Sequence, residues 1–357
     1  MKALPFDLKS SIKDYLITST LSYPKYKNGS KCITLLVEGD LDFDIYTALG
    51  KLSTNNNTSS YLFSPISAYE DFREYLRLSM PFLLDYYYNA FDYVIDGVNS
   101  GINRKDCYGI IDSDLGQHGE STTPNLSITE THDHETLLIK CYFDMFVNGI
   151  IRDLSLTETE KRQLMQDISS ILLFTVQQGL LEKAAIAATD EEQRPFLSFV
   201  SHSYFEKCDY NGQPFDNLIS DAISEFVISQ DPRFVLKYQR YGEKLRKKYE
   251  IIKGRKRRLI EAICGSDLIS KWVCHGYDHL GREEQALIQD ICWFTNGHFF
   301  VNHFKRLLQK DYGAIFSPSE KYSDYFNKPM IEYLSNNKEI YCSFDPIKQY
   351  KSNFLGE

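Results

Sequence analysis

Short apolar runs alternate with helical patterns over residues 30–150, and this alternation constrains the fold more than any other feature of the sequence. Four runs rich in Ile, Leu, Val and aromatic residues predict strands, namely "KCITLLVE" (31–38), "YLFSPIS" (61–67), "DCYGIID" (106–112) and "LSITE" (126–130). Helical patterns cover residues 40–49 and 69–98, and another opens near Asp133. Strands that alternate with helices predict an α/β fold with a parallel, Rossmann-like sheet.

Beyond residue 150 the pattern becomes mainly helical. Helical spacing of apolar residues recurs at about 158–180, 217–229, 233–250, 283–294 and 297–310. We therefore predict three parts, which are an N-terminal helical extension (1–29), a sheet domain (30–150) and a mainly helical C-terminal domain (151–357).

The charge of the chain is unevenly distributed. The formal net charge is −9, and the first 150 residues hold 12 Lys and Arg against 20 Asp and Glu. This balance argues against a generic cationic coat for nucleic acid, although local patches still count. The eight cysteines form no CxxC pair, the N-terminus lacks an apolar signal region, and no run approaches 18 apolar residues. We expect reduced thiols, a cytoplasmic location and no membrane partner.

Carboxylates follow two of the predicted strands. Glu38 ends the first strand, and Asp112 and Asp114 follow the third in "IIDSDLG". Ligands of parallel α/β sheets bind beyond the carboxyl ends of the strands, and the i, i+2 spacing would point both aspartates to one side if strand geometry continued. Converging carboxylates repel one another unless a cation neutralises them, and oxygen ligands suit Mg²⁺ or Mn²⁺. These residues therefore predict a metal site for phosphodiester chemistry.

A further acidic element is "THDHE", at the start of the next predicted helix. Glu135 is a candidate to complete the metal shell, and His132 and His134 are candidates to orient water or protonate the leaving oxygen beside it. Asp42, after the first strand, is a candidate to bind the metal or to support its ligands. Acidic residues at a helix start also interact favourably with the helix dipole, whatever the function. A turn with an N-cap, a solvated loop and hydrogen-bonding histidines remain the structural alternatives for these motifs.

Residues 237–258 form a basic segment. It holds 11 Lys and Arg against two Glu, with Tyr238, Tyr241 and Tyr249 interleaved. Cations neutralise phosphates and tyrosines stack on unpaired bases, so the segment predicts a nucleic-acid contact. The best candidates are Lys253, Arg255, Lys256, Arg257 and Arg258. A solvated helix with a basic end is the alternative.

The order of the motifs resembles that of a known family. Glu-Gly after the first strand followed by DxD after the third is similar to Toprim domains, which serve primases, topoisomerases and OLD-family nucleases. The fuller series "VEGDLDFDIY", "GIIDSDLG" and "THDHETLLI", followed by a helical half, resembles the Toprim-like effectors found beside ABC-type ATPases in phage-defence loci, the PARIS toxin family. The resemblance covers mainly residues 30–145, with weaker support from "KGRKRRLIEAI".

The resemblance implies a Mg²⁺-dependent endonuclease that acts as a toxic effector in anti-phage defence. Glu38 would be the first-motif glutamate, Asp112 and Asp114 the DxD ligands, and Glu135 the glutamate of the following helix. The sequence holds no GxxxxGK[ST] phosphate-binding loop, so an ABC-type ATPase partner would supply any ATP-driven control. RNA, such as tRNA, is slightly favoured over DNA by the resemblance alone.

Two other functions and the oligomeric state stay open. An inactive Toprim-like module that docks to an ATPase, or a primase-like nucleotidyltransferase, would carry the same motifs. A homodimer is also considered, because aromatic-rich helices often pack against a second copy.

Overall fold

The computed structural model describes residues 26–27, 30–39, 42, 46, 51–53, 60–67, 94–95, 98, 107–116, 125–129, 131–186, 193–208, 212–265 and 267–314. The chain divides into two compact units. The first comprises residues 1–130 and 327–357, and the second comprises residues 131–326.

A single sheet organises the first unit. Its strands are β1 (Tyr26–Lys27), β2 (Ser30–Val37), β3 (Lys51–Ser53), β4 (Ser60–Ser67), β5 (Cys107–Ile111) and β6 (Leu126–Ile128). The order along the sheet is β3-β4-β2-β5-β6, and β1 pairs with β2. The contacts among β4, β2, β5 and β6 are parallel, whereas β3 and β1 pair antiparallel with β4 and β2.

The four predicted strands are confirmed, and so is the parallel sheet. In register, Thr34 lies beside Cys107 and Leu36 beside Gly109, so β2 and β5 run side by side and end at the same edge. Leu35, Leu36 and Val37 are buried, as expected for a strand between two neighbours. The sheet therefore places the residues that follow β2 and β5 next to each other.

Some predictions fall on residues that are not described. The predicted helices at 40–49 and 69–98 are described only at Asp42, Tyr46, Val94, Ile95 and Val98, which have helical conformation. The predicted extension 1–29 is described only in its last part, where Tyr26–Lys27 is a strand rather than a helix.

The second unit is helical, as predicted for this part of the chain. Its α-helices are α1 (His134–Asp153), α2 (Glu158–Ile186), α3 (Arg194–Ser198), α4 (Tyr204–Lys207), α5 (Phe215–Ile228), α6 (Val235–Arg255), α7 (Arg257–Cys264), α8 (Asp267–His275), α9 (Arg282–Phe294) and α10 (Gly297–Asp311). A π-helical turn, Phe199–Ser203, joins α3 to α4.

The long helix α2 lies at the centre of this unit. It packs against α6, α7, α9 and α10, and its buried side chains point in several directions around the axis. Gly179 allows the closest of these contacts, because a Cβ at this position would collide with the backbone carbonyl of Phe294 at the end of α9. Aromatic side chains such as Phe143, Trp272 and Phe300 fill the space between α1, α8 and α10.

The boundary between the two compact units lies between residues 130 and 131, whereas the sequence pattern places a domain boundary at residue 150. Helix α1, which the sequence pattern assigns to the sheet domain, packs against α8, α9 and α10 and belongs to the helical unit. Its buried residues include Leu137, Leu138 and Phe143, and its contacts with α8, α9 and α10 place it in the helical unit. The local pattern of α1 could not reveal this partner. Among the described helices, none is both long and apolar enough to cross a membrane.

Candidate metal and nucleic-acid sites

Glu38 and Asp112 meet at the shared edge of β2 and β5. The backbone N–H of Asp112 donates a hydrogen bond of 2.6 Å to Oε1 of Glu38. Both residues come directly after their strands, so the sheet register produces this contact across 74 residues of sequence. The structure thus brings together the two motifs that the sequence pattern places at one sheet edge.

Asp42 supports the turn that follows Glu38. Its side chain is buried, and Oδ2 accepts a hydrogen bond of 3.1 Å from the backbone N–H of Gly39. This bond spans three residues, as the return bond of a capping box does, and it ties the turn after β2. Asp42 therefore stabilises the turn after β2, and its charge also acts on Glu38.

Strand geometry does not continue from β5 to Asp114. The argument that the i, i+2 spacing points the side chains of Asp112 and Asp114 to the same side is therefore wrong. The strand ends at Ile111, and Asp114 and Leu115 have φ values of 43° and 59°. Aspartate tolerates the left-handed region better than leucine, and Leu115 is held there while completely buried. Strained backbone of this kind is often found beside functional groups.

The carboxylate of Glu38 is difficult to ionise. Burial raises its pKa well above the ordinary value, and the charges of Asp112, Asp42 and Asp114 raise it further. The hydrogen bond from Asp112 N–H opposes this shift and is too weak to cancel it. Because all three aspartates act on Glu38, these four carboxylates form one interacting group, which we name the acidic cluster.

The donor set of the acidic cluster fits a hard divalent cation. Among the described residues, no group of three His, Cys, Asp or Glu side chains is already arranged as a metal shell. Mg²⁺ does not require such a shell, since one or two carboxylates and several waters commonly hold it. Ser113 lies between the two DxD aspartates, and its buried hydroxyl makes no hydrogen bond to any described residue. A buried polar atom without a partner suits a site that takes up water or an ion.

Mg²⁺ is expected to stabilise the wild-type protein more than Asp112→Asn. At ten times its dissociation constant, a ligand of the folded state adds about 1.4 kcal/mol, or about 3 °C in melting temperature. The measurement is thermal unfolding in MgCl₂ at concentrations up to about 10 mM, which is about ten times a dissociation constant of about 1 mM. Asp153→Asn removes the same charge at an exposed position of α1 and should keep the full shift. Equal shifts in all three proteins would argue against a cation at the DxD motif.

Glu135, His132 and His134 lie in the helical unit rather than in the sheet unit. Glu135 is the second residue of α1, while both histidines are buried. Nδ1 of His132 lies 3.2 Å from Oδ2 of Asp133. The contribution of these three residues to a metal site stays a prediction.

Asp133 and Gly297 form a helix junction that sequence reasoning missed. Asp133 is the N-cap of α1, where Oδ1 accepts hydrogen bonds of 2.8 Å from both the N–H and the hydroxyl of Thr136. The other carboxylate oxygen of Asp133, Oδ2, accepts a hydrogen bond of 2.8 Å from the N–H of Gly297, the first residue of α10. The D-x-x-T spacing of the cap is visible in the sequence. The contact with α10, 164 residues away, is not.

Most of the predicted nucleic-acid-binding cations already face carboxylates. Four of the five form ion pairs, namely Lys253 with Asp216 at 3.2 Å, Lys256 with Asp290 at 2.7 Å, Arg257 with Glu261 at 2.7 Å, and Arg258 with Glu283 at 3.2 Å. Arg255, the fifth, is exposed at the end of α6. These ion pairs reduce the local positive potential that the sequence leads one to expect from the segment.

The tyrosines of the basic segment pack against other parts of the helical unit. Tyr249 is 1% exposed, and burial raises the pKa of its hydroxyl. Tyr238 stacks on Phe196 with ring centroids 5.8 Å apart, and Tyr241 lies 6.1 Å from the same ring. The expectation that Tyr249 stacks on bases is therefore wrong.

Comparison with known proteins adds no further assignment, because no family model, curated protein or solved structure matches the chain.

Proposed function

We propose that this chain is a metal-dependent endonuclease of the Toprim type. The observation that carries the proposal is the contact between Glu38 and Asp112 at the carboxyl ends of two adjacent parallel strands. That edge of a parallel sheet is where α/β proteins bind their ligands. The acidic cluster concentrates negative charge there, and a divalent cation would offset the resulting repulsion.

The residues that would hold Mg²⁺ or Mn²⁺ are Glu38, Asp112 and Asp114, with Glu135 as a predicted fourth ligand. When bound, such an ion polarises a phosphodiester and lowers the pKa of water. The left-handed turn at Asp114 and the hydrogen bond from Asp112 N–H to Glu38 fix the backbone around the cluster. Positions that are fixed in advance suit catalysis, because they need no rearrangement during the reaction.

Glu38 is suited to proton transfer. Its pKa is raised first by burial and then by the charge of Asp112, so the carboxyl keeps its proton to a higher pH than an ordinary glutamate does. A group with a pKa near the working pH exchanges protons efficiently as a general acid or base. In the proposed reaction water attacks the phosphorus of a phosphodiester and the P–O bond to the leaving oxygen breaks. Glu38 accepts the proton that the water loses or donates one to the leaving oxygen.

The biological part of the proposal depends on the family resemblance. We propose a toxic effector of anti-phage defence that acts in the cytoplasm and is controlled by an ABC-type ATPase on a separate chain. The absence of a GxxxxGK[ST] loop from the sequence is in line with a separate ATPase. RNA, such as tRNA, is the favoured substrate.

The test compares wild type with Glu38→Gln in cells, with and without a co-expressed ATPase encoded beside the gene. The 5′ and 3′ ends of total RNA and DNA are then sequenced. We expect new ends and growth arrest with wild type and neither with Glu38→Gln. Identical ends from both proteins under both conditions would refute the nuclease. Product formation only when nucleoside triphosphates are added to the purified protein would favour a nucleotidyltransferase.

A further inference from the structure

Helix α6 carries four exposed cations that, unlike Lys253 and Lys256, form no ion pair with any described residue. They are Arg240, Lys244, Lys247 and Arg255, and all four are exposed. Within the described part of the chain, none of them forms an ion pair. At about 100° per residue they fall within an arc of about 80° on one face of the helix. We name these four residues the basic stripe.

The basic stripe runs along the helix with three close cations and one more distant. At a rise of about 1.5 Å per residue, Arg240 and Lys244 are about 6 Å apart, Lys244 and Lys247 about 4.5 Å, Lys247 and Arg255 about 12 Å, and the whole stripe spans about 22 Å. The opposite face of α6 is occupied by the core, where Gly242, Leu245 and Tyr249 are buried. The stripe is therefore held on a rigid, packed helix with its charges directed to solvent.

We infer that the basic stripe binds the phosphates of a nucleic-acid strand. A chain of net charge −9 repels polyanions on average, so a contact with nucleic acid requires a local concentration of unpaired cations. The stripe supplies that concentration, whereas the paired residues Lys253 and Lys256 do not. This inference depends on the proposed nuclease function for its biological meaning, because it names where the substrate of that function would lie.

A nucleic-acid strand fits the stripe better than an acidic protein does. Protein interfaces centre on a desolvated apolar core with a polar rim. From Arg240 to Arg255 the exposed large apolar residue of α6 is Ile251, at 57% exposure, and it stands between cations. Exposed Leu236 lies 15 residues, or about 22 Å, away from it. A row of charges with one isolated aliphatic side chain suits regularly spaced phosphates, with Ile251 against a sugar or base.

The test uses two variants of the full chain that each remove four positive charges. The stripe variant carries Arg240→Gln, Lys244→Gln, Lys247→Gln and Arg255→Gln. The paired variant carries Lys253→Gln, Lys256→Gln, Arg257→Gln and Arg258→Gln. Binding to fluorescent 20-nucleotide single strands of RNA and DNA is followed by anisotropy in EDTA, at several salt concentrations. A polyglutamate peptide of equal length is the protein-like probe.

We expect the stripe variant to bind the oligonucleotides about 100-fold more weakly, with the slope of log K against log salt reduced by about 3 for four lost phosphate contacts. The paired variant should change less than about fivefold. Equal losses in both variants would overturn the inference, because total charge would then suffice. The inference would also be overturned if wild type bound polyglutamate more tightly than either oligonucleotide and the stripe variant lost that binding. The partner would then be an acidic protein. Failure of wild type to bind either oligonucleotide would also overturn it.

Cleavage assays in Mg²⁺ separate this inference from the proposed function. If wild type cleaves and the stripe variant cleaves and binds equally well, the stripe is overturned while the nuclease stands. If the stripe variant loses binding while wild type cleaves nothing, the stripe stands and the nuclease falls. Melting temperatures within about 2 °C of wild type show that the variants are folded, since the stripe side chains make no ion pair among the described residues.

Discussion

Glu38→Gln is expected to lower nuclease activity by about 1,000-fold or more while raising the melting temperature of the metal-free protein at pH 8 by about 3 °C. The loss of activity follows from removing both an oxygen that we propose to bind the metal and the group that we propose to transfer the proton. The gain in stability follows from removing a half-buried charge that Asp112, Asp42 and Asp114 repel. Glutamine keeps an oxygen that can accept the N–H of Asp112, so the contact between the two strand ends survives.

The pH dependence of this stability difference has a definite sign. Because the pKa of Glu38 is raised in the folded protein, the folded state binds its proton more tightly than the unfolded state does. The stabilising contribution is therefore complete below the ordinary pKa of about 4.5 and is lost as the pH rises through the higher folded value. The melting temperatures of wild type and Glu38→Gln should converge near pH 4 and diverge towards pH 8.

Differential scanning calorimetry in EDTA from pH 4 to pH 8 measures this divergence, since a tenfold difference in proton affinity between the folded and unfolded states corresponds to about 1.4 kcal/mol. Glu225→Gln removes the same charge from an exposed position of α5 and should show no comparable divergence. A lower melting temperature of Glu38→Gln than of wild type at pH 8 would mean that the ionised carboxylate stabilises the fold, and the repulsion argument would be wrong. Addition of Mg²⁺ should reduce the advantage of Glu38→Gln, because the ion binds only the intact cluster well.

The sequence predicts long periodic elements well, and the reason is physical. Helices α5, α9 and α10 bury a repeated apolar face, so their spacing alone locates them within a few residues. The strands β2 and β5 are continuous apolar runs, because a strand between two parallel neighbours is buried on both faces. Short edge strands such as β3 (Lys51–Ser53) lack both signals, and the sequence pattern does not predict them.

The details of the candidate sites depend on contacts that no local pattern encodes. The sequence predicts that Glu38 and Asp112 end adjacent strands, because parallel strands align their carboxyl ends. It gives no sign that Asp114 and Leu115 turn into the left-handed region. It also cannot distinguish engaged cations from available ones, because the partners of Lys253 and Lys256 come from α5 and α9.

The junction of α1 and α10 provides the second large expected effect. A Cβ at Gly297 would collide with the Cβ of Glu135 and lie 2.6 Å from Oδ1 of Asp133. These atoms belong to a buried helix start whose neighbours cannot move aside cheaply. Gly297→Ala should therefore lower the free energy of unfolding by about 3 kcal/mol. Gly149→Ala, at an uncrowded position of α1, is the matched control, and it should change stability by less than about 1 kcal/mol.

Asp133→Asn should destabilise the same junction from the other side. Burial opposes ionisation of Asp133, but the hydrogen bond and charge of His132, with the N–H groups of Thr136 and Gly297, outweigh it and lower the pKa. An asparagine NH₂ group would face one of these N–H donors, at a cost of about 3 kcal/mol.

Urea unfolding at pH 7 and pH 3 tests both variants. The contribution of Asp133 is complete above its ordinary pKa and is lost as the pH falls through the lower folded value, so the cost of Asp133→Asn should shrink in acid. The cost of Gly297→Ala is steric and should persist at both pH values. A cost of Asp133→Asn below about 0.5 kcal/mol at pH 7, or one that does not shrink in acid, would show that the two helix starts do not depend on this carboxylate. Glu135, the second residue of α1, lies against Gly297, so the junction that these variants weaken also fixes the start of the helix that carries Glu135.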